Sequence, residues 1–214
     1  MGRPPKFSIE QLQQAALDIV DRDGLAGLSM RTLAGALGTG AMTLYNHVPD
    51  REGLDVLVVD AVLALARLPT TAFSDWRDQV EALATEAWRV VRAHPNAIPL
   101  ILTRRSRSES TLRFAEAMLA GLARSGRSGF DLLVAFRAVT AFVMGFAQAE
   151  LAGPLAADAN EPAARVIARI RKLPQDQYPH LVQLAAVADP KKVQNEFRAG
   201  LRALLQGLAI KNTV

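Results

Sequence analysis

Apolar residues recur at a 3.6-residue period almost from one end of the chain to the other, broken by Gly and Pro, and the two-residue alternation of strands is nearly absent. The fold class this predicts is all-α. Ser8 stands three residues before Gln11 in a capping-box arrangement, and Ile9, Leu12, Ala16, Ile19 and Val20 then line one face of a first helix that closes at Gly24. Ser29 is placed to cap a second helix whose inner face is Leu33, Ala34 and Leu37, and Gly38 falls where a left-handed residue ends it. A third helix of about two turns, anchored by Leu44, stops at Pro49. Asp50 caps a fourth, over about 51–67, with Leu54, Leu57, Val58, Ala61 and Leu65 inside.

Beyond Pro69 the pattern predicts a long helix from Ser74 to Pro95, with Trp76, Val80, Leu83, Ala87, Val90 and Val91 on one side. A short turn to about Leu102 and a helix near 108–125 follow, the latter with Leu112, Ala115, Met118, Leu119 and Leu122. The next, from Asp131 to about Leu151, is apolar nearly all round, so it is expected to be buried on several sides. Gly153 to Pro162 reads as a loop, then come a basic helix to Leu173, a short one near 178–188, and a last one opened by Asp189-Pro190 with Phe197, Leu201, Leu204, Leu205 and Leu208 in register. The expected division is a head of residues 1–66 and a larger helical domain of residues 67–214.

Residues 29–48 have the spacing of a helix-turn-helix: small Ala34 at the crossing, Gly38 in the turn, Leu44 packing back. The outer face of the second helix is left to Ala41, Met42, Thr43, Tyr45, Asn46 and His47. The run LGTGAMTLYNHVPDREGL, with S-I-E-Q-L-Q-Q-A-A-L-D-I-V and G-L-A-G-L-S-M-R-T-L-A upstream, resembles the DNA-binding head of the TetR family of transcriptional repressors over residues 8 to about 60. More loosely, R-A-H-P, V-M-G-F, Y-P-H-L and E-F-R-A-G-L-R-A-L-L-Q-G-L resemble the tetracycline-repressor-like regulatory domain.

The resemblance assigns roles position by position. It implies that Arg31 reaches base edges, where a guanidinium fits the two acceptors of guanine, and that Thr43, Tyr45 and His47 touch phosphate and sugar. Ala41, Met42 and Asn46 form the variable face, able to meet thymine methyls or pair with adenine. Arg51 matches a phosphate-pairing position at the start of the fourth helix, and Arg3 and Lys6 are placed to enter an adjacent minor groove. Ser29 and Thr39, flanking the two helices, complete the candidate DNA-contacting set. In the second domain the resemblance implies an effector pocket, with Trp88, His94, Met118, Phe136, Thr140 and Met144 as its candidate lining. Where the tetracycline repressors hold a metal-ligating histidine, Leu100 to Leu102 are aliphatic, so an apolar or aromatic effector is expected rather than a magnesium-chelated one.

Composition narrows the picture further. The 214 residues are 50% hydrophobic, ample for a packed core, and contain no cysteine, so disulfides, thiolate metal sites and cysteine nucleophiles are excluded. A net charge of +4 leans towards a polyanion partner, yet the first 51 residues balance five basic against five acidic side chains, so placement rather than bulk charge carries the DNA reading. The longest uncharged apolar run, Ala138 to Ala149, falls short of the roughly 18–20 residues of a membrane span, so the expectation is a soluble cytoplasmic protein without a membrane partner. His47, His94 and His180 sit in no metal or catalytic motif, Gly38-Thr39-Gly40 lacks the rest of a dinucleotide fingerprint, and no metal or other cofactor is expected. The reading that results is a homodimeric, ligand-responsive repressor, not an enzyme, bound to a pseudo-palindromic DNA operator and released by a small molecule. A constitutive DNA binder and a helical carrier or enzyme are its rivals.

Overall fold

A computed structural model of the chain describes residues 7–104, 108–152 and 161–209, all of whose regular structure is helical. In chain order the helices are α1 (Ile9–Asp23), α2 (Met30–Ala36), α3 (Ala41–Leu44), α4 (Arg51–Ala64), α5 (Trp76–Ala93), α6 (Ile98–Thr103), α7 (Glu109–Ala123), α8 (Gly129–Ala152), α9 (Ala163–Ile170), α10 (Pro179–Val187) and α11 (Val193–Ala209). Two compact units emerge: residues up to 72 with 86–120, and residues 73–85 with 121 onward. The divide falls inside α5 and inside α7.

In the first unit, α1 opens on the expected reciprocal cap, Ser8 Oγ accepting from Gln11 N and Gln11 Oε1 accepting from Ser8 N. Its apolar face, Leu12, Ala16, Leu17, Ile19 and Val20, is fully buried, as are Leu54, Val58, Val59 and Val62 of the α4 helix it packs along. Past the end of α4, Glu86 accepts from Arg67 N at 2.8 Å, and Arg89 donates both to Glu86 and to Leu65 O. The stretch expected as a turn up to Leu102 is instead the helix α6. Pro99 lies in its first turn, where a missing N–H is harmless, and Ala97, Ile98 and Leu100 are buried, so tertiary packing supports a helix too short to read from periodicity.

In the second unit α5 starts at Trp76 rather than Ser74, because the Asp75 carboxylate accepts from Arg77 N at 2.8 Å and takes the capping place. That backbone N–H, seconded by the Arg77 guanidinium, holds the Asp75 carboxyl below the usual carboxylate range. Glu81 of α5 meets Arg202 of α11 at 2.7 Å. Phe142 and Phe146 of α8 stack around Phe197 of α11, with ring centroids 5.5 and 5.3 Å from it. The helices approach this closely because position 200 is glycine: a Cβ there would stand 2.9 Å from Phe142 Cζ. Arg171, just past α9, donates to Ala185 O at 2.7 Å and closes the α9–α10 hairpin.

Two expectations about α8 are corrected. It is not buried on several sides within one chain: its buried positions are the single stripe Ala135, Val139, Val143 and Ala147, while Phe130, Leu133, Val134 and Leu151 are exposed. And the helix passes through Arg137 and Glu150, the charges that bounded the apolar run in the sequence, so residues Gly129–Leu151 are by length and composition apolar enough to cross a membrane.

Truncating Phe197→Ala removes the ring that the two α8 phenylalanines enclose and is expected to lower unfolding stability by about 3–5 kcal/mol, measured by guanidinium titration followed by circular dichroism. Glu86 supplies a pH test. Its carboxyl is held below the usual range by the Arg89 guanidinium above all, with the Arg67 N–H adding to it. A carboxyl depressed in the folded state contributes stability above its unfolded value and loses it as pH falls through the folded one. Glu86→Gln should therefore lose less melting temperature than the parent between about pH 5 and 3.

Candidate nucleic-acid interface

The α2–α3 unit is assembled from local signals. Ser29 Oγ accepts from Thr32 N at 3.1 Å while Thr32 Oγ1 accepts from Ser29 N at 2.9 Å, a capping box closed by threonine. At the other end Gly38 takes φ +62°, Gly38 N donates to Gly35 O at 3.2 Å and Thr39 N to Ala34 O at 2.9 Å. These are the two bonds of a Schellman turn, which needs the left-handed conformation that glycine adopts at least cost. The chain then enters α3, whose helical part is one turn rather than the expected two. Bonds from His47 N and Val48 N, both 2.8 Å to Leu44 O, carry the turn onward to Pro49.

Leu44 and Val48 are buried beneath α3, at 0% and 2% exposure, beside Leu33 and Ala34 of α2. With those anchors down, the other residues point away from the core. Met42 is 78% exposed and Tyr45 48% exposed. Asn46 and Arg31 are exposed, and Ala41, Thr43, His47 and Thr39 are half-buried at the margins. Most of the predicted DNA-facing set is thus at least partly exposed, on α2, on α3 and in the turn between them. Arg3 and Lys6 lie outside the described residues.

Two members of the set have inward duties. The Ser29 hydroxyl is part of its capping box. The Arg51 guanidinium turns back into the head, donating to Leu28 O and, at 3.3 Å, to Leu25 O, while its Nε stands 3.1 Å from Asp55 Oδ1. Asp55 is buried, and its Oδ2 accepts from Arg104 Nε at 3.0 Å. Oδ1 accepts no hydrogen bond, because the approach of Arg51 Nε is close but misaligned. An ionic chain therefore runs from the end of α6 through α4 to the turn before α2. Sequence reading missed Asp55 and Arg104: the pair spans 49 residues and leaves no local mark beyond an acid at a core-facing position.

The effector candidates are divided between the two units. In the first unit Trp88 and Met118 are core residues, each 3% exposed, and His94 is bonded through Nδ1 to Asp21 of α1 at 2.8 Å. In the second, Phe136, Thr140 and Met144 of α8 are half-buried, and the Thr140 hydroxyl donates to Phe136 O of its own helix at 2.8 Å. That unit also has two open clefts, of about 430 Å³ beside Trp76 and Arg124 and about 190 Å³ between Glu81 and Arg202, and neither is lined by a candidate. Among the described residues no cluster of three or more His, Asp or Glu is arranged to hold a metal ion.

A short helix standing on two buried anchors behind α2, with aromatic, amide and apolar side chains exposed, completes a helix-turn-helix, an arrangement common among DNA-binding proteins. Comparison with known proteins agrees. Residues 68–211 match the family model described as the tetracyclin repressor-like C-terminal domain. An HTH-type transcriptional regulator of Saccharopolyspora erythraea is 37% identical over 146 residues, 68% of this chain and 62% of that protein's length. The HTH-type transcriptional repressor DrrR1 of Streptomyces coeruleorubidus is 29% identical over 98% of this chain and 80% of its own. Among solved structures, the TetR family protein ActR of Streptomyces coelicolor, in complex with (S)-DNPA, superposes with a TM-score of 0.77 at 26% identity, covering 96% of this chain and 98% of that one. The chain belongs to the TetR family of DNA-binding transcriptional regulators.

Proposed function

We propose that the protein is a cytoplasmic, ligand-responsive repressor that binds a pseudo-palindromic operator as a homodimer, with residues 1–66 as the DNA head and 67–214 as the regulatory and dimerising domain. The observation that carries this reading is the outward face of α3, held on Leu44 and Val48 with Met42, Tyr45 and Asn46 free to meet base edges and backbone. Arg31 adds direct readout, Thr43, Tyr45 and His47 fix register on phosphate and sugar, and Thr39 and Ser29 border the contact. Arg51, half exposed on its outer edge, supports the phosphate side while its inner donors hold Leu28.

The exposed stripe of α8, Phe130, Val134, Ala141 and Gly145, offers a second copy large apolar side chains at one end and small ones for close helix approach beyond them. Paired there and through α11, two chains place two α3 helices in successive major grooves, and protein symmetry demands a palindrome. A small apolar or aromatic effector in the regulatory domain favours a state in which α4 tilts, the Arg104–Asp55–Arg51 chain linking α6 to the turn ahead of α2. The (S)-DNPA complex of ActR supports an organic effector.

On a duplex selected by the protein from a random pool, Arg31→Ala and Tyr45→Ala should each cost about 1–3 kcal/mol of binding with helicity unchanged, and raising salt should weaken the parent steeply. Equal affinity in both variants, or a flat salt response, would sink the groove assignment. Light scattering should find twice the chain mass of 23.1 kDa for the parent, and Val134→Arg should halve it; a monomeric parent removes the dimer.

A further inference from the structure

The last turn of α1 is fastened from outside its own helix. Asn96 Nδ2 donates to Val20 O at 3.0 Å, which also takes the closing bond of the helix from Gly24 N at 2.9 Å, and to Asp21 O at 3.3 Å. Beside it His94 Nδ1 lies 2.8 Å from Asp21 Oδ2, the ring only 17% exposed. Neither side chain is needed to close the turn on which it stands. Main-chain bonds do that, His94 N to Val91 O at 3.2 Å and Ala97 N to His94 O at 3.0 Å, and Pro95 stiffens it. Two side chains are thus free to reach back more than seventy residues, and both take partners on the same turn of α1.

Apolar packing is non-directional and tolerates sliding or rolling of one helix on another, whereas hydrogen bonds to fixed carbonyls and a carboxylate do not. Because α1 packs along α4 and against α2, its roll is shared by the α2–α3 unit it supports. We propose that His94 and Asn96 are positioning residues for operator recognition: they clasp the end of α1 and fix the angle at which α3 is presented. They touch no DNA. This rests on the dimeric operator reading, since a head's angle matters most when two heads must match one spacing. His94, which the resemblance suggested for the effector pocket, here belongs to the clasp.

The test compares the full protein, Asn96→Ala, His94→Ala, His94→Gln and the exchanged pair Asp21→His with His94→Asp. Each is measured by fluorescence anisotropy on a duplex selected from a random pool by the parent, and on a duplex holding one half of it. Both alanine variants should lose about five- to tenfold on the whole duplex, as expected for removing a hydrogen bond to a charged or fixed partner, and stay within about twofold on the half. His94→Gln keeps a donor and the exchanged pair keeps the contact, so both should stay within about twofold of the parent. Alanine variants that match or exceed the parent on the whole duplex overturn the proposal. So does an equal loss on whole and half duplex, which marks a role confined to head stability. A parent that binds both duplexes alike defeats the dimeric reading itself, and the clasp proposal with it.

Discussion

Everything presented to DNA depends on the burial of Leu44 and Val48. A helix of one turn has no stability of its own, because nucleation costs more than its few hydrogen bonds return. The segment after Gly38 is helical only because those two side chains are fully taken up beside Leu33 and Ala34. The same constraint sets which way the rest faces: with two of eight consecutive residues pinned inward, Met42, Tyr45 and Asn46 have nowhere to go but out. Gly38 and the capping boxes prepare the chain for this geometry, but the apolar anchors hold it there.

Around that head, polar side chains do a different task. Asp55, Arg51 and Arg104 bury a carboxylate between two guanidiniums, and Asn96 and His94 bind two carbonyls and a carboxylate at the end of α1. A buried ion pair is weak as net stabilisation and strong as a constraint, since removing one partner strands the other. Directional bonds of this kind give a small helical head one orientation relative to the segment 94–104, where packing alone would allow several.

The second unit shows the complementary economy of surface. α8 covers only its alanine and valine stripe against its own chain and leaves Phe130, Leu133, Val134 and Leu151 outside. Its composition alone satisfies a membrane span. In the dimer proposed above, the small residues Ala141 and Gly145 of the exposed stripe suit the approach of another helix.

Local physics was largely legible in the chain, apart from the Asp75 cap of α5 and the length of α3. The caps at Ser8, Ser29 and Asp50, the left-handed Gly38 and the stop at Pro49 follow from interactions within four or five residues, and each is present in the structure; the inward faces of α1, α2 and α4 are present except at their ends, where Ile9 and Leu65 are exposed and Leu37 is half-buried. What tertiary structure alone decided involves partners distant in sequence. That α6 is a helix depends on Leu100 and Ile98 finding a core; that His94 and Arg51 turn inward depends on Asp21, Leu28 and Asp55; that α8 is one-sided depends on how many helices its own chain can lay against it. Periodicity records which residues avoid water, and it carries no record of which distant residue meets them, because long-range pairing leaves no spacing in the sequence to read.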